Sequence, residues 1–243
     1  MFMPMMMDPI HLVITLIGAG LMFLPQMWVK NTVARHHEFE ASSGLTGAQV
    51  AQQILQTNNI YDVTVEMVGG VLSDHYDPGA KAVRLSPDTY QQRSISALAI
   101  AAHEVGHAIQ HNKGYVPVVI RSQLAPIANL GSQFGPLMIM VSLMLGVASG
   151  QAPAFSWAIA WLGVFAFGAG TLFHLVTLPV ELDASARALT ILRGSSYLTD
   201  VEMGGAKKVL TAAAMTYVAG ALYALMELAY WLFRLFGNTR REE

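Results

Sequence analysis

Apolar residues along this chain are gathered into four long blocks rather than spread at a helix or strand period. The blocks cover residues 9–29, 124–148, 153–180 and 209–233. An apolar run of about 20 residues is long enough to cross the hydrocarbon core of a bilayer as a helix. The pattern therefore predicts a mainly α-helical integral membrane protein with about four transmembrane helices.

Two polar stretches, residues 30–123 and 181–208, separate these blocks, whereas the second and third blocks are joined by the uncharged turn 149–152. Both polar stretches should therefore lie on one side of the membrane. Cytoplasmic loops collect Lys and Arg, so the basic residues on that face predict that it is cytoplasmic. These residues are Lys30, Arg35, Arg121, Arg187, Arg193, Lys207 and Lys208. The membrane side of the C-terminus is not assigned, because Arg234, Arg240 and Arg241 follow the fourth block.

The first polar stretch has the local patterns of a small α+β module. Residues 46–55 have helical apolar spacing, and residues 63–67 alternate as a strand does. The turn Asp77-Pro78-Gly79 precedes a second predicted strand at 82–85, and Ser86-Pro87-Asp88 is a helix start signal. We interpret residues 1–243 as a single membrane-embedded domain, in which residues 30–123 and 181–208 form the polar module.

Composition narrows the chemistry that the module can contain. The chain is 53% hydrophobic and only 12% charged, which agrees with a bilayer as its solvent. The absence of cysteine excludes disulfides and thiolate zinc sites. A net charge of -2 and the lack of a Lys/Arg run give no reason to expect a nucleic-acid partner. Because no Lys or Arg precedes the first block, we expect a retained anchor rather than a secretory signal.

The segment from Ser94 to Asn112 is rich in Ala, Ile and Leu, and Lys113-Gly114 follows it as a stop signal, so it predicts a buried helix. This helix contains His103-Glu104-Val105-Gly106-His107. Residues four apart project from one helix face, so His103 and His107 can hold one ion with Glu104 beside them. The motif predicts a zinc site for peptide hydrolysis, with Glu104 as the general base.

A catalytic zinc usually has three protein ligands, so one more must come from elsewhere. The metzincin extension is absent, because Gln110 and Lys113 stand where Gly and His would be. We favour Glu181, which directly follows the third apolar block, over Asp183. The two are rotated to nearly opposite helix faces, so we expect only one of them to point inward.

Five segments of the chain together resemble the YugP-type membrane neutral zinc metallopeptidases. They are Leu-Ser-Asp-His-Tyr-Asp-Pro at 72–78, Ala-Ala-His-Glu-Val-Gly-His-Ala-Ile-Gln at 101–110, Leu-Pro-Val-Glu at 178–181, Gly-Ala-Lys-Lys-Val-Leu at 205–210 and Thr-Tyr-Val at 216–218. That family is more distantly similar to membrane gluzincins such as the CAAX prenyl and heat-shock membrane proteases. Glu181 matches the position of their third ligand, whereas Ser185 replaces the Asp that usually follows four residues later. A hydroxyl is a weaker partner than a carboxylate for orienting a ligand histidine.

Several other residues have alternative interpretations. We expect His111 to be a polar residue at the helix end rather than a ligand. His174, inside an apolar block, either stabilises an oxyanion or gates access, or is hydrogen-bonded within the helix bundle. His75 and Tyr76 are assigned to a loop, where they either donate to an oxyanion or have a structural role. We expect Arg187 to be a membrane-surface cation. The strand at 83–86 either packs in its sheet or pairs with an extended substrate.

The leading hypothesis is an endopeptidase with one Zn²⁺ per chain, acting on a protein or peptide substrate at or near the membrane surface. The substrate, the oligomeric state and the need for a partner membrane protein stay open. The alternative is a membrane scaffold or transport-associated protein that retains a structural zinc. A structural site is usually closed by four protein ligands, and the sequence offers three.

Overall fold

The structure is a computed structural model that describes residues 8–147 and 153–236. Its elements are, in chain order, α1 (Pro9–His37), α2 (Gly47–Thr57), β1 (Thr64–Met67), β2 (His75–Asp77), β3 (Ala82–Leu85), α3 (Pro87–Gln91), α4 (Ile95–Asn112), α5 (Val116–Met144), α6 (Ala154–Gly194) and α7 (Asp200–Phe236). The predicted mainly α-helical class with a small sheet is confirmed. The predicted turn at 149–152 lies outside the described residues.

Four helices, α1, α5, α6 and α7, are long and apolar enough to cross a membrane, which confirms the predicted set. They are longer than the apolar blocks. The helix α6, for example, continues without a break through Pro179 to Gly194. Apolar composition marks only the part of a helix suited to lipid, whereas backbone hydrogen bonds extend it equally well through polar residues. As a result, Glu181 lies within a long helix and not in a separate polar segment.

The described residues fold into two compact units, and the first comprises residues 8–23, 120–147, 153–178 and 217–236. Within it, α5 and α6 pack closely through glycines. A Cβ added at Gly131 would collide with the backbone carbonyl of Ala166, and one at Gly135 would lie 2.8 Å from Phe167 Cβ. These positions require glycine, because any larger residue would push the two helices apart.

The second unit comprises Leu24–Val119 and Pro179–Thr216, and it contains the three-stranded sheet. The strand order is β1-β3-β2, with β1 parallel and β2 antiparallel to β3. The predicted turn between β2 and β3 is present, and Asp77 Oδ1 accepts hydrogen bonds from the backbone N–H groups of Gly79 and Ala80. Asp77 therefore closes the turn that sets the register of this hairpin.

One expectation about this sheet was wrong, and the strand order decides between the two alternatives for the strand at 83–86. His75 and Tyr76 belong to strand β2 and not to a loop. Strand β3 is central, so its two edges are already paired and residues 82–85 have no free edge for an extended substrate. A strand of three residues is too short for its alternation to be visible in the sequence.

The helix α4 forms where the motif predicted it and crosses the core of the second unit. The Ser94 hydroxyl caps its first turn by accepting from the Ala97 N–H, and Gly114 adopts a φ of +61° just beyond its end. Most of its residues are buried, including Leu98, Val105 and Ile109, which pack in one apolar cluster with residues of α2 and β3. This packing holds the His/Glu motif on a rigid element.

Candidate metal centre

In the second unit, α4 and the part of α6 from Pro179 onward bring three metal-ligating side chains together. Nε2 of His103 and Nε2 of His107 lie 3.3 Å and 3.4 Å from Oε2 of Glu181. The donor atoms of the three residues all lie within 4.8 Å of one another. Glu181 is only 2% exposed. The structure thus brings together the two motif histidines and the carboxylate that the sequence favoured as their partner.

The separations between these donor atoms fit a zinc ion. Bonds of about 2.0–2.1 Å that diverge at a tetrahedral angle place two ligand atoms about 3.3 Å apart. The His103–Glu181 and His107–Glu181 distances agree with this value within 0.1 Å. A pair of imidazoles with one carboxylate is also a donor set that zinc uses in hydrolytic enzymes. The residues present therefore fit the metal without a rearrangement of either helix.

The close packing of α4 on α6 depends on Gly106. A Cβ at Gly106 would lie 2.8 Å from the backbone oxygen of Ala184 and 3.2 Å from its Cα. Backbone atoms cannot rotate away as a side chain can, so a larger residue would force the helices apart. Gly106 lies between the motif histidines in the sequence. The contact of Gly106 with Ala184 therefore sets the distance between the two histidines and Glu181.

Gln110 fixes the orientation of His107. Its amide nitrogen donates to the Val180 carbonyl and to Asp183 Oδ2, both at 2.8 Å, and its amide oxygen lies 3.0 Å from Nδ1 of His107. Because this oxygen can only accept, Nδ1 of His107 must be the donor. In the neutral imidazole the lone pair is then on Nε2, the nitrogen that faces Glu181.

Ser185 occupies the corresponding position beside the other histidine. Its hydroxyl lies 3.1 Å from Nδ1 of His103. A hydroxyl can either donate or accept, so this contact orients the ring without fixing which nitrogen carries the proton. The departure from the pattern of the distant gluzincins therefore leaves His103 with a partner, but with a less selective one than His107 has.

Asp183 is not one of the three grouped metal-ligating side chains, in agreement with the expectation that only one of Glu181 and Asp183 points inward. Its carboxylate accepts from Gln110 and forms an ion pair with Arg187, one turn further along α6, at 2.6 Å. Arg187 is also 5.9 Å from the centre of the Tyr115 ring. It is therefore part of a chain of contacts that ends at His107.

The electrostatic surroundings of His107 favour its protonated form in the metal-free protein. Burial lowers its pKa, but the hydrogen bond to Glu181 and the negative charges of Glu104 and Glu181 outweigh that effect, so the net pKa is raised. A negative site of this kind attracts a divalent cation for the same reason that it attracts a proton. Glu104 itself is only 8% exposed, so its charge acts in a poorly solvated setting.

The remaining candidate residues have other partners. Nδ1 of His111 lies 3.0 Å from the Tyr76 hydroxyl, in agreement with a role at the helix end. The ring of His75 is bound to the Ser73 carbonyl. His174 lines a cavity of about 490 Å³ in the first unit, together with residues that include Glu227.

Sequence reasoning missed Gln110 and Asp183 as supporting residues. The signal for Gln110 was its position three residues after His107, which places the two on one helix face. The signal for Asp183 was weaker, because a spacing of two residues from Glu181 suggested the opposite face. The Gln110 side chain is long enough to reach Asp183 from α4.

A protein-family model described as "Putative neutral zinc metallopeptidase" matches residues 11–236 of the chain. The chain belongs to this family. It is also 43% identical over 229 residues to "Putative membrane protease YugP" of Bacillus subtilis (strain 168), an alignment that covers 94% of this chain and 97% of the relative. No solved structure matches the chain.

Membership in the neutral zinc metallopeptidase family confirms the resemblance drawn from the motifs. The family implies zinc, and the group formed by His103, His107 and Glu181 can hold it. The relative is described as a membrane protease, and the four apolar helices found here agree with a membrane location for this chain too. The chain is therefore a membrane protein of a zinc metallopeptidase family.

Proposed function

We propose that this protein is a zinc-dependent endopeptidase that hydrolyses peptide bonds at or near the membrane surface. The observation that carries the proposal is the spacing of the donor atoms, with Glu181 at 3.3 Å and 3.4 Å from the two motif histidines. Glu104 lies between these histidines in the sequence, as a general base in this motif requires.

Each residue has a distinct role in the proposed reaction. His103 and His107 would hold the metal through Nε2, and Glu181 would hold it through a carboxylate oxygen. Zinc, when bound, acts as a Lewis acid on the scissile carbonyl and lowers the pKa of water. Glu104 accepts a proton from the attacking water and delivers it to the leaving amine. The buried setting of Glu104 keeps its carboxylate from competing contacts with bulk solvent.

The number of ligands supports a catalytic rather than a structural zinc. In the described part of the chain, the only group of at least three His, Asp or Glu side chains placed to share a metal is His103, His107 and Glu181. Asp183, the nearest additional carboxylate along α6, is bound to Gln110 and Arg187. Three protein ligands leave a position for water, whereas structural sites are usually closed by four.

The long helices support a location of the reaction at the membrane surface. We propose that all four cross the membrane and that the polar module lies at the cytoplasmic surface, as the basic residues predict. The helix α6, which carries Glu181, is one of these four, and this supports a site close to the bilayer. Substrates that are themselves membrane proteins, or that a partner membrane protein presents, suit this placement.

The decisive test is the variant Glu104→Gln in the full-length protein. It should retain about one zinc per chain and lose proteolysis of labelled casein or a membrane substrate by several orders of magnitude, because the amide cannot accept the proton. The control is Glu38→Gln, an exposed site just beyond the end of α1, which should retain both properties. Turnover by Glu104→Gln at the parental rate would contradict the assignment.

A second test separates the ligand set from the catalytic role. Glu181→Ala should lose zinc during purification, as measured by elemental analysis, whereas Glu38→Ala should not. If Glu181→Ala keeps a full zinc complement, Glu181 is not a ligand, whatever happens to the activity of Glu104→Gln.

A further inference from the structure

A pocket of about 650 Å³ in the second unit has no part in the proposed reaction. It is lined by Trp28, Asn31, Thr32, Arg35, His36 and Lys208. The first five follow one another at spacings of three, one, three and one along α1, so they form a single face of that helix. Lys208 comes from α7. The volume is in the range of small-ligand sites in proteins.

The charges around this pocket have one sign. Arg35 and Lys208 each bring a positive charge, and no carboxylate of the described residues lines the pocket. Within the same part of the chain, neither cation forms an ion pair within 4.0 Å. Asn31, Thr32 and Trp28 add neutral hydrogen-bond donors. Two such cations with neutral donors favour an anionic ligand such as a phosphate.

The wall of the pocket between the two helices is rigidly packed. His36 donates from Nδ1 to the Thr32 carbonyl, 2.8 Å away and one helical turn earlier. Its ring lies against Gly205 of α7, where a Cβ would come within 2.7 Å of His36 Cδ2. The pocket therefore has a fixed wall between α1 and α7, unlike an open surface with scattered lysines.

The position of the pocket along α1 matches the headgroup layer of a bilayer. Residues 9–29 carry no formal charge, and Trp28 lies at the end of this stretch, where interfacial tryptophans are common. Arg35 is seven residues further, or about 10 Å along the helix axis. Arg side chains on a helix lean back toward its N-terminus, so the guanidinium can reach the phosphate level, and each headgroup layer is roughly 5–8 Å thick.

We propose that this pocket binds the phosphate of an anionic phospholipid headgroup, held between Arg35 and Lys208, with Trp28 beside the start of the acyl chains. The bound lipid connects α1 to α7. Gly205 also lies close to Ile95 at the start of α4, since a Cβ there would be 3.2 Å from Ile95 Cγ2. The lipid therefore stabilises the packing around the first turn of the helix that carries the His/Glu motif.

The test measures phosphatidylglycerol binding to the delipidated full-length protein by native mass spectrometry, with phosphatidylcholine as the reference lipid. Arg35→Gln/Lys208→Gln removes two positive charges from the pocket. The control Lys30→Gln/Lys207→Gln removes two from exposed positions on the same helices that do not line it. We expect phosphatidylglycerol affinity to fall about 10- to 30-fold in the pocket variant and to change less than about twofold in the control.

Charge-preserving substitutions distinguish the loss of positive charge from a folding defect. Arg35→Lys/Lys208→Arg should keep most of the affinity for phosphatidylglycerol. Equal losses in the pocket and control variants would overturn the proposal, as would no loss in either. Inorganic phosphate that binds in phosphatidylcholine nanodiscs as tightly as phosphatidylglycerol does, with the same dependence on Arg35 and Lys208, would overturn the lipid assignment in favour of free phosphate. None of these results depends on proteolysis.

Discussion

The Ser185 hydroxyl lies 3.1 Å from Nδ1 of His103, and Ser185 is one helical turn beyond Glu181 on α6. One helix therefore supplies both the carboxylate that faces the motif histidines and a partner for one of their rings. Outer partners of metal-ligating histidines fix the ring and raise its basicity. Ser185 fixes the orientation of the His103 ring. As a neutral hydroxyl, it raises the basicity of that ring only weakly.

We predict that Ser185→Ala weakens zinc binding by about 10-fold, because His103 loses its orienting contact. Ser185→Asp should bind zinc at least as tightly as the parent, since a carboxylate is the stronger acceptor for Nδ1–H. Zinc affinity can be measured by competition with a chelator. Ser156→Ala is the matched control, because Ser156 is a buried serine on the same helix and distant in sequence from the site. Parental affinity in Ser185→Ala would show that the hydroxyl contributes nothing.

A larger effect is expected at Gln110. Gln110→Ala leaves the Val180 carbonyl and Nδ1 of His107 without the partners they now have. Each buried polar group that loses its partner costs about 1–3 kcal/mol of stability. We expect a lower melting temperature and a 10- to 100-fold weaker zinc affinity. Gln53→Ala, at an exposed position on α2, should change neither quantity. If Gln110→Ala lowers stability alone, Gln110 is only a packing residue.

The sequence was sufficient to predict the centre of the site and insufficient for its surroundings. His103 and His107 share a helix, so helix geometry alone places them on one face. Glu181 could be inferred because an apolar block ends beside it. The contact between Asp183 and Gln110 could not be inferred, since it depends on how far a side chain from another helix reaches. Neither the short strand β2 nor the central position of β3 could be predicted, because strand order depends on contacts between distant residues.

Packing between α4 and α6 leads to a third prediction. In Gly106→Ala the new methyl group would meet the Ala184 backbone at 2.8 Å, so the helices must separate. Overpacking of this kind costs about 1–3 kcal/mol, and it should also weaken zinc binding by moving Glu181 away from the histidines. Gly204→Ala is the matched control, because a Cβ there meets no atom within 4 Å. Its higher helix propensity should leave stability equal or raise it by up to about 1 kcal/mol.

If Gly106→Ala binds zinc and melts as the parent does, the two helices are not fixed by this contact. A loss of stability with full zinc affinity would also contradict the prediction. The distance between the histidines and Glu181 would then not depend on the contact at Gly106.

The raised pKa of His107 predicts how zinc binding depends on pH. Zinc requires the neutral imidazole, so protons compete with it at this residue. In the metal-free protein, burial lowers the pKa of His107, but the hydrogen bond to Glu181 and the nearby carboxylate charges raise it above the ordinary 6.5. Protonation of His107 therefore stabilises the metal-free fold below about pH 6.5, and this contribution is lost as the pH rises through the raised pKa.

The pH above which protons no longer weaken zinc binding should accordingly be higher than for a histidine with the ordinary pKa of 6.5. Chelator competition between about pH 5.5 and 8.5 measures this profile. Glu104→Gln removes one of the charges that raise the pKa of His107, so its profile should shift toward lower pH, whereas Glu38→Gln should leave it in place. Superimposable profiles for Glu104→Gln and the parent protein would show that the Glu104 charge does not act on His107.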